Sequence, residues 1–466
     1  MKVKYLAAAC AALCSVSAFA ATYDPATTTP AKTVYIAGAS AQKNALLATV
    51  PSTVFSTAAH GVLFVNGPNG SVGWLGDDKL GGITLVIYNS TNGSAAGLNQ
   101  LISAGTPEAE ATVLALPAAG CTAKVAVAPP NIATEQTTCT STSAAREADM
   151  ALSDVYATEF EPGYLSTGSS LKSASTSAST GLEGFGVITN AVLYDALVAQ
   201  NIHDGLLPAS CASATAATLT VGTGNGACQP SVRSADYASL VTSAGQFNDY
   251  TSLVKDQGAK EITVCRRDHL SGTQAAANIF FLNAVCGELG YQGALAPAIS
   301  GDTNTGTYVV VDEANNATDL AENCVWSGSA AGTSAYPGYA AGVVSLGEKD
   351  SVDAVTPQSK HTSDKYYFVK LDGVSPNYTA AGAYDSLHRS NLVTGAYKFA
   401  TEMAAYVKSA TSLTSGNGKV AASIANDIAN ANLSSVTGIA YLTGGTFGDG
   451  KTARYSKGGN NCSVYQ

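Results

Sequence analysis

Short runs of β-branched and apolar residues alternate along the chain with stretches whose apolar positions recur at helical spacing. Thr33–Ala37 (TVYIA) predicts a strand that ends at Gly38, and Ala41–Thr57 predicts the helix after it. Ile83–Tyr88 (ITLVIY) predicts a second strand. A Gly- and Ser-rich turn follows, and Leu98, Leu101 and Ile102 give helical spacing to Ala95–Ser103. Met150–Leu152 and Gly186–Thr189 predict short strands. Glu261–Cys265 (EITVC) predicts a strand that leads through a turn into a helix over Gln274–Val285, with Ala277, Phe280, Phe281 and Ala284 apolar. This repetition of strand, turn and helix predicts an α/β protein with mostly parallel sheets. Three segments interrupt it: Pro107–Ala145, Ser166–Gly181 and Ala209–Val232. They are rich in Ser, Thr, Ala and Gly and read as surface loops or hairpins on a core.

The first residues carry a different pattern. Lys2 and Lys4 make a short basic start, Tyr5 to about Val16 is apolar, and Ala18-Phe19-Ala20 supplies a small-x-small cleavage pattern. This predicts a signal peptide over residues 1–20 and a periplasmic or secreted product. The apolar run is too short to span a bilayer, and neither Cys10 nor Cys14 has the lead-in of a lipid anchor. The other eight cysteines are Cys121, Cys139, Cys211, Cys228, Cys265, Cys286, Cys324 and Cys462. An even number in an exported chain predicts disulfides. Cys121 with Cys139 and Cys211 with Cys228 would each close a short polar loop. The remaining four leave three connectivities open.

The net charge of −10 argues against nucleic acid or an anionic membrane as partner. A small anion stays possible, because local hydrogen bonds hold it whatever the global charge. Only 12% of residues are charged and 46% are hydrophobic, which predicts a large core with uncharged polar loops rather than disorder. About 440 residues after the leader suggest two or three domains.

Four segments share one design, a strand, a turn with Gly or Ser, and a helix start. They are Gly38-Ala39-Ser40-Ala41-Gln42, Gly93-Ser94-Ala95-Ala96-Gly97, Leu152-Ser153-Asp154, and Arg266-Arg267-Asp268-His269-Leu270-Ser271-Gly272-Thr273. A helix N-terminus presents unpaired N–H groups and partial positive charge. Gly lets the backbone come close, and hydroxyls add donors, so such turns suit an anion. Each segment alone is equally an ordinary helix cap.

Taken in order, the set resembles the periplasmic phosphate-binding proteins of bacterial ABC transporters. GASAQ at Gly38–Gln42 resembles that family's first turn. Gly93–Gly97 followed by Leu98-Asn99-Gln100-Leu101-Ile102 resembles its GSSGG turn and helix. Asp149–Asp154 fits DxxxSD, and Val241–Tyr250 is a relaxed form of the segment before the ligand arginine. Arg266–Thr273 fits RRxxxSGT. Gly338–Leu346, Leu371–Asn377 and Gly382-Ala383-Tyr384 resemble later elements. The similarity runs from about Val34 to Ala400, broken by the insertions.

The resemblance implies an α/β, two-lobed periplasmic-binding-protein-like fold with a ligand cleft between the lobes. Lobe one would comprise residues 32–160 with 370–466, and lobe two residues 161–369. It implies a phosphate site of Ser40, Gln42, Ser94, Asp154, Arg267, Ser271, Gly272 and Thr273. Arg267 would fork onto two oxyanion oxygens. Ser94, Ser271, Gly272 and Thr273 would be donors. Asp154 would accept a hydrogen from the ligand, which phosphate carries at neutral pH and sulfate does not. Departures from the family are Gln42 in place of Thr, Ala95 in place of Ser, and His269 where an Asp usually orients the arginine, with Asp268 one place earlier.

The expected partners are phosphate or a related oxyanion and an ABC permease of the inner membrane, with no nucleic acid. The chain is expected to be a monomer, to take no cofactor and not to be an enzyme. No GxSxG, HExxH or Walker-type loop appears, and His60, His203, His269, His361 and His388 are scattered. The alternative is a secreted or surface interaction protein on the same fold with a weakened or lost anion site. A secreted phosphoester hydrolase has neither nucleophile nor metal constellation to support it.

Overall fold

The computed structural model describes residues 23–56, 61–90, 93–102, 111–126, 135–160, 175–222, 225–242, 253–255, 262–284, 286, 303–304, 308–311, 317–329, 332–348, 366–408, 416–430, 436–440 and 460–463. The expected signal peptide and most of Val241–Tyr250 lie outside them. Among the described residues no helix is long and apolar enough to cross a membrane.

Two groups of parallel strands make the centre. In the first, Lys32–Gly38 lies between Ile83–Asn89 and Met150–Ser153. In the second, Ile262–Arg267 lies between Tyr308–Val311 and Tyr339–Ser345. Met150–Ser153, Ile262–Arg267 and Tyr339–Ser345 are buried at every residue. That is why they read as unbroken runs and not as alternating ones.

One long strand joins the two groups. Ser175–Asn190 pairs antiparallel with Ala400–Lys408 through residues 175–184 and with Tyr339–Ser345 through residues 185–189. Ala400–Lys408 pairs in turn with Met150–Ser153, so the sheet is continuous. The expectation of mostly parallel sheets is corrected here, since the sheet is mixed. Leu63–Asn66, Val72–Asp77 and Ile83–Asn89 form an antiparallel meander, because their links are too short for a parallel crossover.

Two of the insertions take part in the sheet. Ala111–Cys121 and Glu135–Arg146 make a hairpin that docks in parallel on Leu63–Asn66. Ser166–Gly181, expected as a surface loop or hairpin, supplies the first part of the long strand from Ser175 onward. Thr is a good strand former and Ser does not forbid a strand, so composition hid it.

The helices cover both faces. Lys43–Val54 and Gly416–Asn430 pack Leu46, Val50, Val420, Ile424 and Ile428 on Val34, Ile36 and Val86. Gly93–Ile102 covers the other side with Ala95, Leu98 and Leu101. Two glycines permit its close approach. A Cβ on Gly97 would lie 2.6 Å from the Cα of Gly38. Gly38 has φ +120°, and a Cβ there would lie 2.0 Å from the carbonyl oxygen of Leu152.

Four disulfides are present. Cys121–Cys139 and Cys211–Cys228 are the two that the spacing predicts. Cys265–Cys324 and Cys286–Cys462 resolve the open connectivity. The last spans 176 residues and tethers the chain beyond helix Gly272–Leu282 to residues 460–463. Next to it, the backbone N–H of Asn461 donates to Glu159 Oε1 at 2.6 Å, and its Nδ2 donates to Glu159 Oε2 at 2.8 Å. Its Oδ1 accepts the N–H of Glu402 at 2.6 Å.

Replacing both Cys286 and Cys462 with Ser is expected to lower unfolding free energy by about 5 kcal/mol, because the loop it closes is long. Guanidinium unfolding of the two proteins measures this, and a change below about 1 kcal/mol would refute it.

Candidate functional site

Parallel strands place their carboxyl ends, and the turns after them, on one edge of a sheet. Gly38 of the first strand and Leu152 of its neighbour are paired, and the Ala39 N–H donates to the Leu152 carbonyl at 2.9 Å. After Gly38 the chain makes a short 3-10 turn over Ser40–Gln42. Ser40 is half-buried there. Gln42 is fully buried, and its Nε2 donates to the carbonyl of Ser153 at 2.8 Å. The Gln42 amide thus supports the backbone that carries Asp154.

Ser94 opens helix Gly93–Ile102 beside that edge. The backbone N–H of Asp154 approaches Ser94 Oγ at 3.4 Å. The arginine loop closes on the pair from the other group of strands. The Ala95 N–H donates to the carbonyl of Leu270 at 3.0 Å, which crosses from one turn to the other. Gly272, the first residue of helix Gly272–Leu282, sits directly against both side chains. A Cβ on it would lie 2.3 Å from Ser94 Oγ and 2.6 Å from Asp154 Oδ2. Ser94, Asp154 and the helix start therefore occupy one place.

The loop's own sequence explains its shape. Asp268 Oδ1 accepts the Leu270 N–H at 2.9 Å, and its carbonyl accepts the Ser271 N–H at 3.3 Å. This is an Asx turn, which Asp favours. Asp268 thus builds the loop from a position one earlier than the orienting carboxylate of the resemblance. Ser271 is the N-cap, its Oγ accepting the Gln274 N–H at 3.2 Å, and its hydroxyl hydrogen remains available to donate elsewhere. Arg267 ends strand Ile262–Arg267. Arg266, Arg267, Ser271 and Thr273 are all buried. His269 lines a small recess with Glu159, Gln274 and Asn278. Among the described residues no cluster of His, Cys, Asp and Glu is arranged to hold a metal ion.

The sequence reading missed Glu183. It lies on the long strand, fully buried, and Ser345 donates its hydroxyl to Glu183 Oε1 at 2.7 Å. Burial pushes its carboxyl well above the ordinary carboxylate range, and the neighbouring charge of Asp154 pushes it further. The Tyr88 phenol is raised by burial as well, with a further push from Asp154 and Glu183. Tyr88 donates its hydroxyl to the carbonyl of Ala39. The signal for Glu183 was present in the chain as a lone acid in LEGFGVI, an otherwise apolar run.

No protein-family model matches the chain, and no curated protein matches it. Several solved structures are similar to it. One is a substrate-binding protein assigned to phosphate ABC transport, with bound phosphate, from Clostridium perfringens. It is 12% identical, covers 88% of this chain and 100% of its own, and gives a TM-score of 0.42. A phosphate-binding protein from Stenotrophomonas maltophilia is 12% identical over 81% of this chain and 79% of its own, with a TM-score of 0.38. An ABC-type phosphate transport receptor from Vibrio cholerae is 12% identical over 81% of this chain and 87% of its own, with a TM-score of 0.34.

Gly272→Ala is expected to destabilise the fold by about 1–3 kcal/mol, since the methyl group meets two short, buried side chains. Gly97→Ala is expected to cost more, because the obstacle is the backbone of Gly38, which cannot rotate away. Thermal unfolding of both variants checks the order. Equal midpoints for both variants and the parent would contradict it.

Proposed function

We propose that this protein binds phosphate or a similar oxyanion at the convergence of these turns and delivers it to an ABC-type permease. The convergence of Ser94, Asp154 and the helix start at Gly272 carries the reading. It joins turns from two groups of strands 118 or more residues apart in sequence, and it combines hydroxyl and backbone donors with an acceptor. The lobes would be residues 32–160 with 370–466 and residues 161–369, with Ser175–Asn190 as one crossing strand. Ligand binding would bring them together by a hinge motion. Arg267 supplies charge and a planar fork, and Ser40, Gln42, Ser271 and Thr273 line the approach. The product is periplasmic or secreted, acts as a monomer and catalyses no reaction.

A second reading keeps the fold and gives up the anion, leaving a secreted or surface interaction protein. The close packing of Gly272 on Ser94 and Asp154, with Gln42 holding the Ser153 carbonyl, favours it. Titration calorimetry of the purified protein with phosphate, arsenate and sulfate separates the two. Saturable heat with phosphate supports the first reading, and no binding of any oxyanion by folded protein supports the second.

Two substitutions carry distinct signatures. Arg267→Ala is expected to weaken every oxyanion by about 1.5–3 kcal/mol, the worth of a charge-assisted hydrogen bond. Asp154→Asn is expected to narrow the preference for phosphate over sulfate, because it removes the charge that repels an ion without a hydrogen. Calorimetry with both ligands on both variants is the measurement. An unchanged preference in folded Asp154→Asn rules out Asp154 as the hydrogen acceptor.

A further inference from the structure

Helix Gly272–Leu282 presents its first residue to Ser94 and Asp154. How far that start can move depends on what holds the rest of the helix. At its side Phe280 and Phe281 pack on Phe399, with ring centroids 4.7 and 4.9 Å apart. The helix stops at Asn283, which takes the left-handed conformation with φ +50°. The chain then turns back tightly. The Ala284 N–H donates to the Asn278 carbonyl at 3.1 Å, and the Cys286 N–H donates to the Asn283 carbonyl at 3.3 Å. Cys286 is thereby fixed to the helix end, and its disulfide with Cys462 joins that end to residues 460–463.

The sequence of those residues shapes them into a turn. The Cys462 N–H donates to Asn460 Oδ1 at 2.9 Å, and the Ser463 N–H donates to the Asn460 carbonyl at 2.9 Å. Asn461, buried in the middle of the turn, is anchored to the first group of strands. Met150–Ser153 pairs with residues 404–407 of strand Ala400–Lys408 and ends there. Glu402 therefore has no strand beside it on that side among the described residues. The Asn461 amide takes the place of one. Its Oδ1 accepts the Glu402 N–H at 2.6 Å, and its Nδ2 donates to the Glu402 carbonyl at 3.2 Å. Buried Glu159 accepts the Asn461 N–H and Nδ2 together with the Tyr156 N–H at 2.8 Å. Bonds to a carboxylate are among the stronger kind, so the anchor is firm.

We propose that residues 460–463 are a clasp across the two groups of strands: Asn461 grips the first group, Cys462 holds the far end of helix Gly272–Leu282, and together they restrain the helix start at Ser94 and Asp154 before any ligand arrives. The helix is only about 16 Å long, so a covalently held end confines its start to a small arc. The consequence for binding rests on the oxyanion reading above. A site ordered in advance loses less freedom on binding, and fewer molecules stand open. The restraint on opening does not depend on that reading.

Ala95 reports opening directly. It is the third residue of helix Gly93–Ile102, a position whose N–H has no acceptor within its own helix. It donates instead to the Leu270 carbonyl of the arginine loop at 3.0 Å. Each separation of the two turns exposes this N–H to exchange with solvent. Ile36, buried in the centre of the sheet, serves as the reference for exchange through global unfolding.

The test is amide hydrogen exchange without ligand, and phosphate calorimetry, on the full chain as wild type and C286S/C462S. In the folded double variant Ala95 is expected to exchange at least about tenfold faster than in wild type and faster than Ile36, with phosphate Kd raised by about the same factor. A disulfide that only stabilises the fold would speed Ile36 and leave both Ala95 exchange from the folded state and Kd unchanged. That result overturns the clasp and leaves the oxyanion reading intact. Faster exchange with unchanged Kd in a protein that binds phosphate overturns it too. If wild type binds no oxyanion, that reading fails and the Ala95 rates alone decide the clasp. Should C286S/C462S fail to fold, N461A keeps all four disulfides and loses the side-chain anchor, and the same acceleration of Ala95 is expected. Equal rates in folded N461A and wild type overturn the clasp. Wild type measured alone is also decisive: an Ala95 amide that exchanges as fast as in an unfolded chain overturns it.

Discussion

The site depends on backbone contact without side chains at Gly38 and Gly97. Helix Gly93–Ile102 rests on the end of strand Lys32–Gly38 with a Cβ-free surface on each side, and Gly38 in turn leaves no room for a Cβ against Leu152. Any side chain at these points would lift the helix away by ångströms. Ser94 would then leave the Asp154 N–H, and the Ala95 N–H would leave the Leu270 carbonyl that holds the arginine loop. Interiors transmit such displacements instead of absorbing them, because they are packed as densely as organic crystals. A steric condition one helical turn away from Ser94 thus sets the geometry of three separate turns.

The same edge concentrates charge that stability alone would not retain. Arg266, Arg267, Asp154 and Asp268 are all buried there. Each ion loses several kcal/mol of hydration, and pairing with opposite charge does no more than offset this. Elsewhere the structure handles polar groups differently. Thr84 and the half-buried Lys32 both donate to buried Asp78, and Arg233 pairs with Asp236 in an exposed turn. Buried charges gathered at the carboxyl ends of parallel strands are in the position where open α/β sheets bind ligands.

Much of this was legible in the chain, and the parts that were not have physical reasons. The strands TVYIA and ITLVIY and the helix after RRxxxSGT were readable because each is apolar, short and closed by Gly or Ser. The observed spans Lys32–Gly38, Ile83–Asn89 and Gly272–Leu282 differ from the expected ones mainly at their ends. The site turns were readable because helix starts that bring donors together use few residue types. The first half of Ser175–Asn190 was not readable. Small polar residues give no hydrophobic period, and the partner that makes them a strand, Ala400–Lys408, is more than 200 residues away in sequence. Glu183 was hidden for the same reason. Its hydrogen-bond partner Ser345 comes from the neighbouring strand of the sheet, which sequence spacing does not reveal. Asp268 shows the opposite case. It stands one place before the position where the resemblance puts an orienting acid, and its local bonds to Leu270 and Ser271 make it a turn former.

The close contact between Asp154 and the start of helix Gly272–Leu282 also bears on how an anion would be chosen. A carboxylate near a helix N-terminus already receives the favourable field that an anionic ligand would seek. An arriving oxyanion therefore competes with Asp154 for the same positive end. For an ion with no hydrogen, the two negative groups repel at short range in a poorly solvated place, where Coulomb energies are several-fold larger than in water. For an ion that brings a hydrogen, the conflict becomes a hydrogen bond, and Asp154 turns from competitor to ligand. Under the proposed oxyanion reading, such discrimination would be built from repulsion as much as from attraction. It would require an ionised Asp154 and a Gly272 without a side chain, so that both anions could share one helix start.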